Sequence, residues 1–114
     1  MDKLSHYRNS IKKILTEYEE LASKTPNPPG VDSVLAFDEG RDQYLWFQTG
    51  WHESKKVRAI TVYVRIKNEK IWIEEDWTEE GIATELLREG VPQSDIVLAF
   101  HSPEMRKFTE FALA

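Results

Sequence analysis

Hydrophobic residues recur at helical spacing at the start of the chain and at alternating spacing through its middle. The helical stripe consists of Leu4, Tyr7, Ile11, Ile14, Leu15, Tyr18 and Leu21. Apolar residues three and four positions apart lie on one side of a helix, so this stripe predicts an amphipathic helix. Three prolines and Gly30, all between positions 26 and 30, then end the helix and form a short connector.

Four strand-like runs follow, at positions 33–37, 43–51, 57–67 and 70–75. In the third run, Ile60, Val62, Val64 and Ile66 alternate with polar residues, which predicts one apolar face and one solvated face. The connections are short and rich in turn-forming residues. Short connections favour antiparallel pairing of successive strands, so the four runs predict a simple meander.

The last third predicts two helices. Thr78 is a candidate N-cap for the first, with Glu79 and Glu80 in its first turn and Gly90 just beyond its end. The segment 96–100 is apolar and fits either a fifth strand or an extended segment against the core. Ser102 and Pro103 then begin a short final helix. The predicted fold is α+β in a single domain, 1–114: an N-terminal helix, a four-stranded antiparallel meander, and one longer and one short C-terminal helix.

Aromatic residues are more abundant than one apolar sheet face requires. The second run carries Leu45 and Phe47 on the side opposite Trp46, and Trp72 alternates with Ile71 and Ile73. A sheet of one layer needs only one apolar face, so the surplus indicates that part of the second face is covered. We expect the last helix or another copy of the chain to cover it, and we expect a homodimer.

Composition narrows the class of protein. The net charge is −5, which argues against direct nucleic-acid binding because DNA affinity depends on Lys and Arg. Residues 69–95 carry two basic and nine acidic groups, a balance of −7. Such a face is either solvated or suited to a basic partner. The absence of cysteine excludes disulfides and thiolate chemistry and suits the cytoplasm. No secretory signal or membrane-spanning run is predicted.

Candidate chemistry is sparse. Glu74, Glu75 and Asp76 form an acidic run, but strand alternation should separate the first two onto opposite faces. The three histidines lack the spacing of a helical metal pair. His101, between Phe100 and Ser102, is the one candidate functional histidine, and local hydrogen bonding explains it more simply than catalysis. We therefore predict no catalytic residue, no metal and no cofactor.

Three segments carry a resemblance to a known family. They are MDKLSHYRNSIKKILTEY at the start, FDEGRDQYLWFQTGW in the middle, and positions 70–114, in which WTEEGIA is the most specific string. Together these segments resemble the XisI family, the fdxN element excision controlling factors of cyanobacteria. The resemblance implies an accessory role in DNA excision during heterocyst differentiation, beside a recombinase and a companion protein, XisH. It implies no catalytic residues.

Three functional hypotheses follow. The first is a regulatory protein that contacts a XisH-like partner through an acidic interface, namely Glu74, Glu75, Asp76, Trp77, Glu79 and Glu80. If that partner is basic and nuclease-like, the interface could shield its DNA-binding surface. The second is direct DNA binding through Arg58, Arg65, Lys67 and Lys70. The third is a small enzyme that uses His101 with Glu79 or Glu80.

Overall fold

A computed structural model describes residues 2–114 of the chain. The chain begins with helix α1 (Lys3–Ala22) and continues into strands β1 (Val31–Asp38), β2 (Gln43–His52), β3 (Lys55–Lys67) and β4 (Lys70–Asp76). Helix α2 (Ile82–Arg88), a 3₁₀ turn (Gln93–Asp95), strand β5 (Ile96–Leu98) and helix α3 (Pro103–Arg106) complete it.

The five strands form one mixed sheet in the order β1-β2-β3-β4-β5. The first four pair antiparallel, so the predicted meander is confirmed. The expected total of four strands is wrong, because Ile96–Leu98 pairs parallel with β4 after a crossover through α2. The 3₁₀ turn was also not predicted. Alternation could not identify β5, because its three residues are too few to show a pattern and its pairing depends on a distant strand.

Helix α1 packs across one face of the sheet, which we call the inner face. Ile11 and Leu15 are completely buried there against Tyr44, Val62 and Val64. The burial of Tyr7, Ile14 and the half-buried Tyr18 confirms the predicted stripe, although Leu21 at its end is 61% exposed. On α2, Ile82 and Leu86 complete the same core.

Two β-bulges change which residues share a face. The β2–β3 register shifts between Trp46 and Phe47, where β3 carries Thr61 as an extra residue. Ile60 therefore pairs with Phe47 on the opposite, outer face and is 44% exposed, whereas Val62 and Val64 lie beneath α1. The expectation that Ile60 shares their face is wrong, because a bulge reverses the alternation of side chains.

The outer face is covered at one side only. Trp72 and Val97 are buried there, outside the main core. The Arg106 guanidinium lies 5.5 Å from the centre of the Trp72 ring, and Ala112 forms a parallel β-bridge with Val97 at the free edge of β5. The C-terminal segment thus covers the outer face at Trp72 of β4, as the surplus of apolar residues predicted, and it pairs along the edge of β5. The outer face of β1, β2 and β3 has no such cover from residues 2–114.

Candidate functional site

The corner between β4 and α2 is built around Asp76. Its carboxylate accepts hydrogen bonds from the Thr78 amide at 3.0 Å, the Thr78 hydroxyl at 2.6 Å and the Ile82 amide at 2.6 Å. Helix α2 begins only at Ile82, with Gly81 as its N-cap at φ +90°. The expectation that Thr78 caps this helix is wrong. Asp76 satisfies the first helical amide, and Gly81 supplies a backbone angle that other residues rarely adopt.

The Asp76 corner borders a cleft of about 660 Å³ between the end of α1 and the loop before α2. Buried or half-buried side chains from α1 and β2 form its floor, namely Ile14, Tyr18 and Trp46, and the exposed Leu21 and Ala22 extend the apolar lining at the end of α1. Five glutamates, with Thr61, Trp77 and Thr78, complete the lining: Glu17, Glu79, Glu80, Glu85 and Glu89. No Lys or Arg among residues 2–114 lines it. We call this feature the acidic cleft.

The negative charge of the acidic cleft is only partly neutralised by nearby cations. Arg88 pairs with Glu80 at 3.4 Å and also with Glu85. Lys13 pairs with Glu89 at 2.9 Å. Within residues 2–114, Glu17 and Glu79 belong to no ion pair. Burial, reinforced by the charges of Glu85 and Glu80, raises the pKa of the Tyr18 phenol at the floor.

Trp77 stands at the edge of the acidic cleft with 76% of its surface exposed. Its indole N–H donates to Glu75 at 3.2 Å, and its backbone amide donates to the Thr61 carbonyl at 2.9 Å. The backbone is therefore anchored to the β3 bulge, while the ring remains open to solvent. An exposed aromatic ring beside free carboxylates can contact the aliphatic stem and the charged end of a Lys or Arg together.

The structure divides the six predicted interface residues into two groups. Trp77, Glu79 and Glu80 line the acidic cleft. The other three serve the fold locally: Glu74 pairs with Arg65 at 2.8 Å, Glu75 accepts from Trp77, and Asp76 holds the start of α2. A second bulge, between Tyr63 and Val64, leaves Glu74 and Glu75 together opposite Tyr63. The prediction that they point to opposite faces is therefore wrong.

Sequence reasoning missed the α1 side of the acidic cleft. Glu17 and Leu21 are one helical turn apart and lie more than fifty positions before Trp77. One signal was available in the sequence. The predicted apolar stripe continues to Leu21 although Glu17, Glu19 and Glu20 surround it, so the helix end offers an apolar side chain in an acidic setting.

Comparisons with known proteins agree on one family. The profile of the XisI protein family matches residues 1–113. The chain belongs to the XisI family. The fdxN element excision controlling factor XisI from Anabaena variabilis, which has a crystal structure, is 49% identical to this chain in sequence. Its TM-score is 0.90, with 99% of this chain and 100% of that chain covered.

A second structure, of a XisI-like protein from the same organism, is 32% identical with a TM-score of 0.87 and the same coverage. No curated protein matches the chain. The mixed sheet and N-terminal helix described above are therefore those of solved XisI structures.

His101, the candidate functional histidine of this XisI family member, lies just after β5 and outside the acidic cleft. Its ring centroid is 4.6 Å from that of Phe100, and its backbone carbonyl accepts from Arg106 at 3.1 Å. The imidazole forms no ion pair with Glu79 or Glu80. No group of three metal-ligating side chains occurs between residues 2 and 114.

The basic stripe proposed for DNA binding is largely engaged by contacts within the chain. Arg65 pairs with Glu74, and the Lys67 ammonium lies 4.7 Å from the Trp72 ring centre. Lys70 donates to the Ala114 carbonyl at 2.6 Å. Arg58 alone among these four residues forms no ion pair, cation–π contact or side-chain hydrogen bond within residues 2–114. Across the same residues, no helix is both long and apolar enough to cross a membrane.

Proposed function

We propose that this XisI family member is an accessory regulator of DNA excision that binds a basic, XisH-like protein through the acidic cleft. The observation that carries the proposal is the acidic cleft itself, which combines an apolar floor with five glutamates and, among residues 2–114, no lining Lys or Arg. The relative that is 49% identical is named a controlling factor for excision, which supports a regulatory role.

The chemistry of the acidic cleft specifies its occupant. The unpaired carboxylates of Glu17 and Glu79 attract Lys or Arg side chains, and the exposed ring of Trp77 packs against their stems. The floor around Trp46 and Ile14 accepts an apolar residue next to those cations. A partner segment with alternating basic and apolar side chains fits this arrangement. The absence of cysteine suits a reducing compartment, so we place the contact in the cytoplasm.

Direct DNA binding is the weaker alternative. Three of its four basic residues are engaged within the chain, and the net charge of −5 opposes approach to phosphate. The enzyme alternative, which uses His101 with Glu79 or Glu80, lacks support because His101 forms no ion pair with either glutamate.

The test is co-purification of the tagged chain with a XisH-like protein from the same genome, at low and high salt. We expect a complex at low salt that weakens as salt rises. A double variant, Glu17→Lys with Glu79→Lys, should abolish it. A matched control with the same change in charge, Glu53→Lys with Glu104→Lys, alters exposed glutamates outside the acidic cleft and should bind normally.

Two outcomes would overturn parts of the proposal. Absence of any complex at low salt would reject the XisH-like partner. A complex that the Glu17 and Glu79 reversals leave intact would reject the acidic cleft as the binding surface.

A further inference from the structure

The uncovered part of the outer sheet face carries an ordered pattern of charge. Register pairs place Asp32, Thr49 and Arg58 in one row across β1, β2 and β3. Val34, Phe47 and Ile60 form the next row, followed by Ala36, Leu45 and Tyr63. Asp38, Gln43 and Arg65 form the last. Acidic residues thus lie on the β1 side, basic residues on the β3 side, and apolar residues between them.

We propose that a second copy of this chain covers this face, with a two-fold axis that runs along β2 between the two sheets. Such an axis places β1 of one copy over β3 of the other. Asp32 of each copy then meets Arg58 of the other, and the central apolar rows pack together. Face-to-face sheets with nearly aligned strands are a common packing arrangement at a separation of about 10 Å.

The apolar rows give the contact its core. Ile60 is 44% exposed, and Val34, Leu45, Phe47 and Tyr63 remain half-buried in a single copy. A shallow apolar depression lies among Leu45, Phe47 and Ile60. Contiguous exposed apolar surface on a sheet marks an interface, because burial removes that surface from water.

The charge pattern selects both the occupant and the orientation. With the axis along β2, opposite charges meet at Asp32 and Arg58. The other face-to-face arrangement, with the axis across the strands, would place Asp32 against Asp38 and Arg58 against Arg65. That arrangement leaves Asp32 and Arg58, which have no ion pair within residues 2–114, without an opposite charge, whereas the first arrangement pairs them with each other.

Asp32 and Arg58 are available for this contact. Both are exposed, and neither forms an ion pair within residues 2–114. The last row is already satisfied inside each copy, since Asp38 pairs with Arg41 and Arg65 pairs with Glu74. The contact therefore depends on the Asp32 and Arg58 row.

The C-terminal segment leaves room for the second copy. It covers the outer face over Trp72 on β4 and pairs with Val97 along the edge of β5. An axis along β2 superposes only β1, β2 and β3 of the two copies, so β4 and β5 lie outside the overlap. The acidic cleft, which is lined by α1 and the loop before α2, also stays open. This contact is therefore independent of the proposed regulatory partner.

The experiment is sedimentation equilibrium of the full chain over concentrations from about 1 µM to 1 mM. We expect a species of twice the 13.3 kDa chain mass. Asp32→Arg and Arg58→Asp should each raise the dimer dissociation constant by about tenfold or more, because two attractive pairs become repulsive. The double variant, Asp32→Arg with Arg58→Asp, should restore the wild-type value. Glu20→Arg on α1 is the charge-matched control for the first change.

A second pair of variants tests the apolar rows. Ile60→Lys should yield a monomer, whereas Leu87→Lys, at a similarly exposed position on α2, should remain dimeric. Circular dichroism identifies any variant that does not fold. A wild-type monomer throughout the concentration range would overturn the proposal. So would a charge reversal at Asp32 without effect, or a double reversal that fails to restore the dimer.

Discussion

The carboxylate of Asp76 accepts a hydrogen bond from the backbone amide of Ile82 at 2.6 Å, so the last residue of β4 holds the first turn of α2. The same carboxylate also receives both hydrogen bonds from Thr78. One side chain therefore satisfies three donors at a corner where the backbone leaves the sheet and enters a helix. This network fixes the loop that carries Trp77, Glu79 and Glu80 along the acidic cleft.

We expect Asp76→Ala to lower the free energy of unfolding by about 1–3 kcal/mol, because the substitution leaves the three donors without their acceptor. Urea denaturation followed by circular dichroism measures the change. Glu75→Ala, the neighbouring change, removes only an exposed contact with Trp77 and should stay within about 0.5 kcal/mol. Equal losses at both positions would contradict the structural role of Asp76.

The left-handed backbone conformation of Gly81 is the basis of a second prediction. Its φ is +90°, and an added Cβ would lie at an ordinary 3.6 Å from Asp76 Oδ2. Strain would therefore arise from the backbone and not from crowding. We expect Gly81→Ala to cost about 1–2 kcal/mol of unfolding free energy. Gly40→Ala is the control, because Gly40 lies outside the left-handed region. A neutral Gly81→Ala in thermal and urea melts would refute this reading.

A buried and an exposed tryptophan should respond differently to substitution. Trp72 is 8% exposed beneath the C-terminal segment, whereas Trp77 is 76% exposed. Trp72→Ala should cost about 3 kcal/mol or more, because it leaves a cavity between β4 and the C-terminal segment. Trp77→Ala should change stability by less than about 0.5 kcal/mol and weaken partner binding. Denaturation curves and co-purification measure the two effects. A reversed order of stabilities would be incompatible with the fold described above.

The hydrogen bonds of the Asp42 carboxylate predict how the free energy of unfolding depends on pH. Hydrogen bonds from Arg8, at 2.8 and 3.2 Å, are the main cause of a lowered pKa for this carboxyl, and the Tyr44 hydroxyl contributes a further hydrogen bond at 2.9 Å. Because the folded pKa lies below the unfolded value of about 3.9, this contribution is present above that pH. It is lost as the pH falls through the folded pKa.

We therefore expect Asp42→Asn to lower unfolding free energy at pH 7 and to flatten its decline below about pH 4. Asparagine tolerates the φ of +53° at this position, so the substitution tests charge and not backbone geometry. Urea denaturation at several pH values measures the slope, with Glu53→Gln as an exposed control. An unchanged slope in Asp42→Asn would exclude a role for this carboxylate.

Local signals in the sequence were sufficient for the helix and the meander, but not for the bulges. The stripe through Ile11 and Leu15 and the short turns of the meander depend on neighbouring residues, so their pattern is visible directly. The extra residue at Thr61 depends on pairing with a different strand. Nothing in the alternation of β3 indicates where that pairing shifts.

The acidic cleft was predicted on one side only, for a similar reason. Trp77, Glu79 and Glu80 are close in sequence and could be recognised as a group. Glu17 and Trp46 join them only after α1 packs across the sheet. The acidic run itself also misled, because Glu74 and Asp76 are used by the fold.

The bulge at Thr61 has a consequence for the order of folding. The two-residue turn at Glu53 and Ser54, both with positive φ, fixes the pairing of the strand ends next to it. If that pairing simply continued, Thr61 and Tyr63 would face α1, and Val62 would face solvent. The half of the hairpin beyond the bulge therefore takes its native register only when burial against α1 selects Val62. The turn at Glu53 and Ser54 fixes only the register of the strand ends next to it.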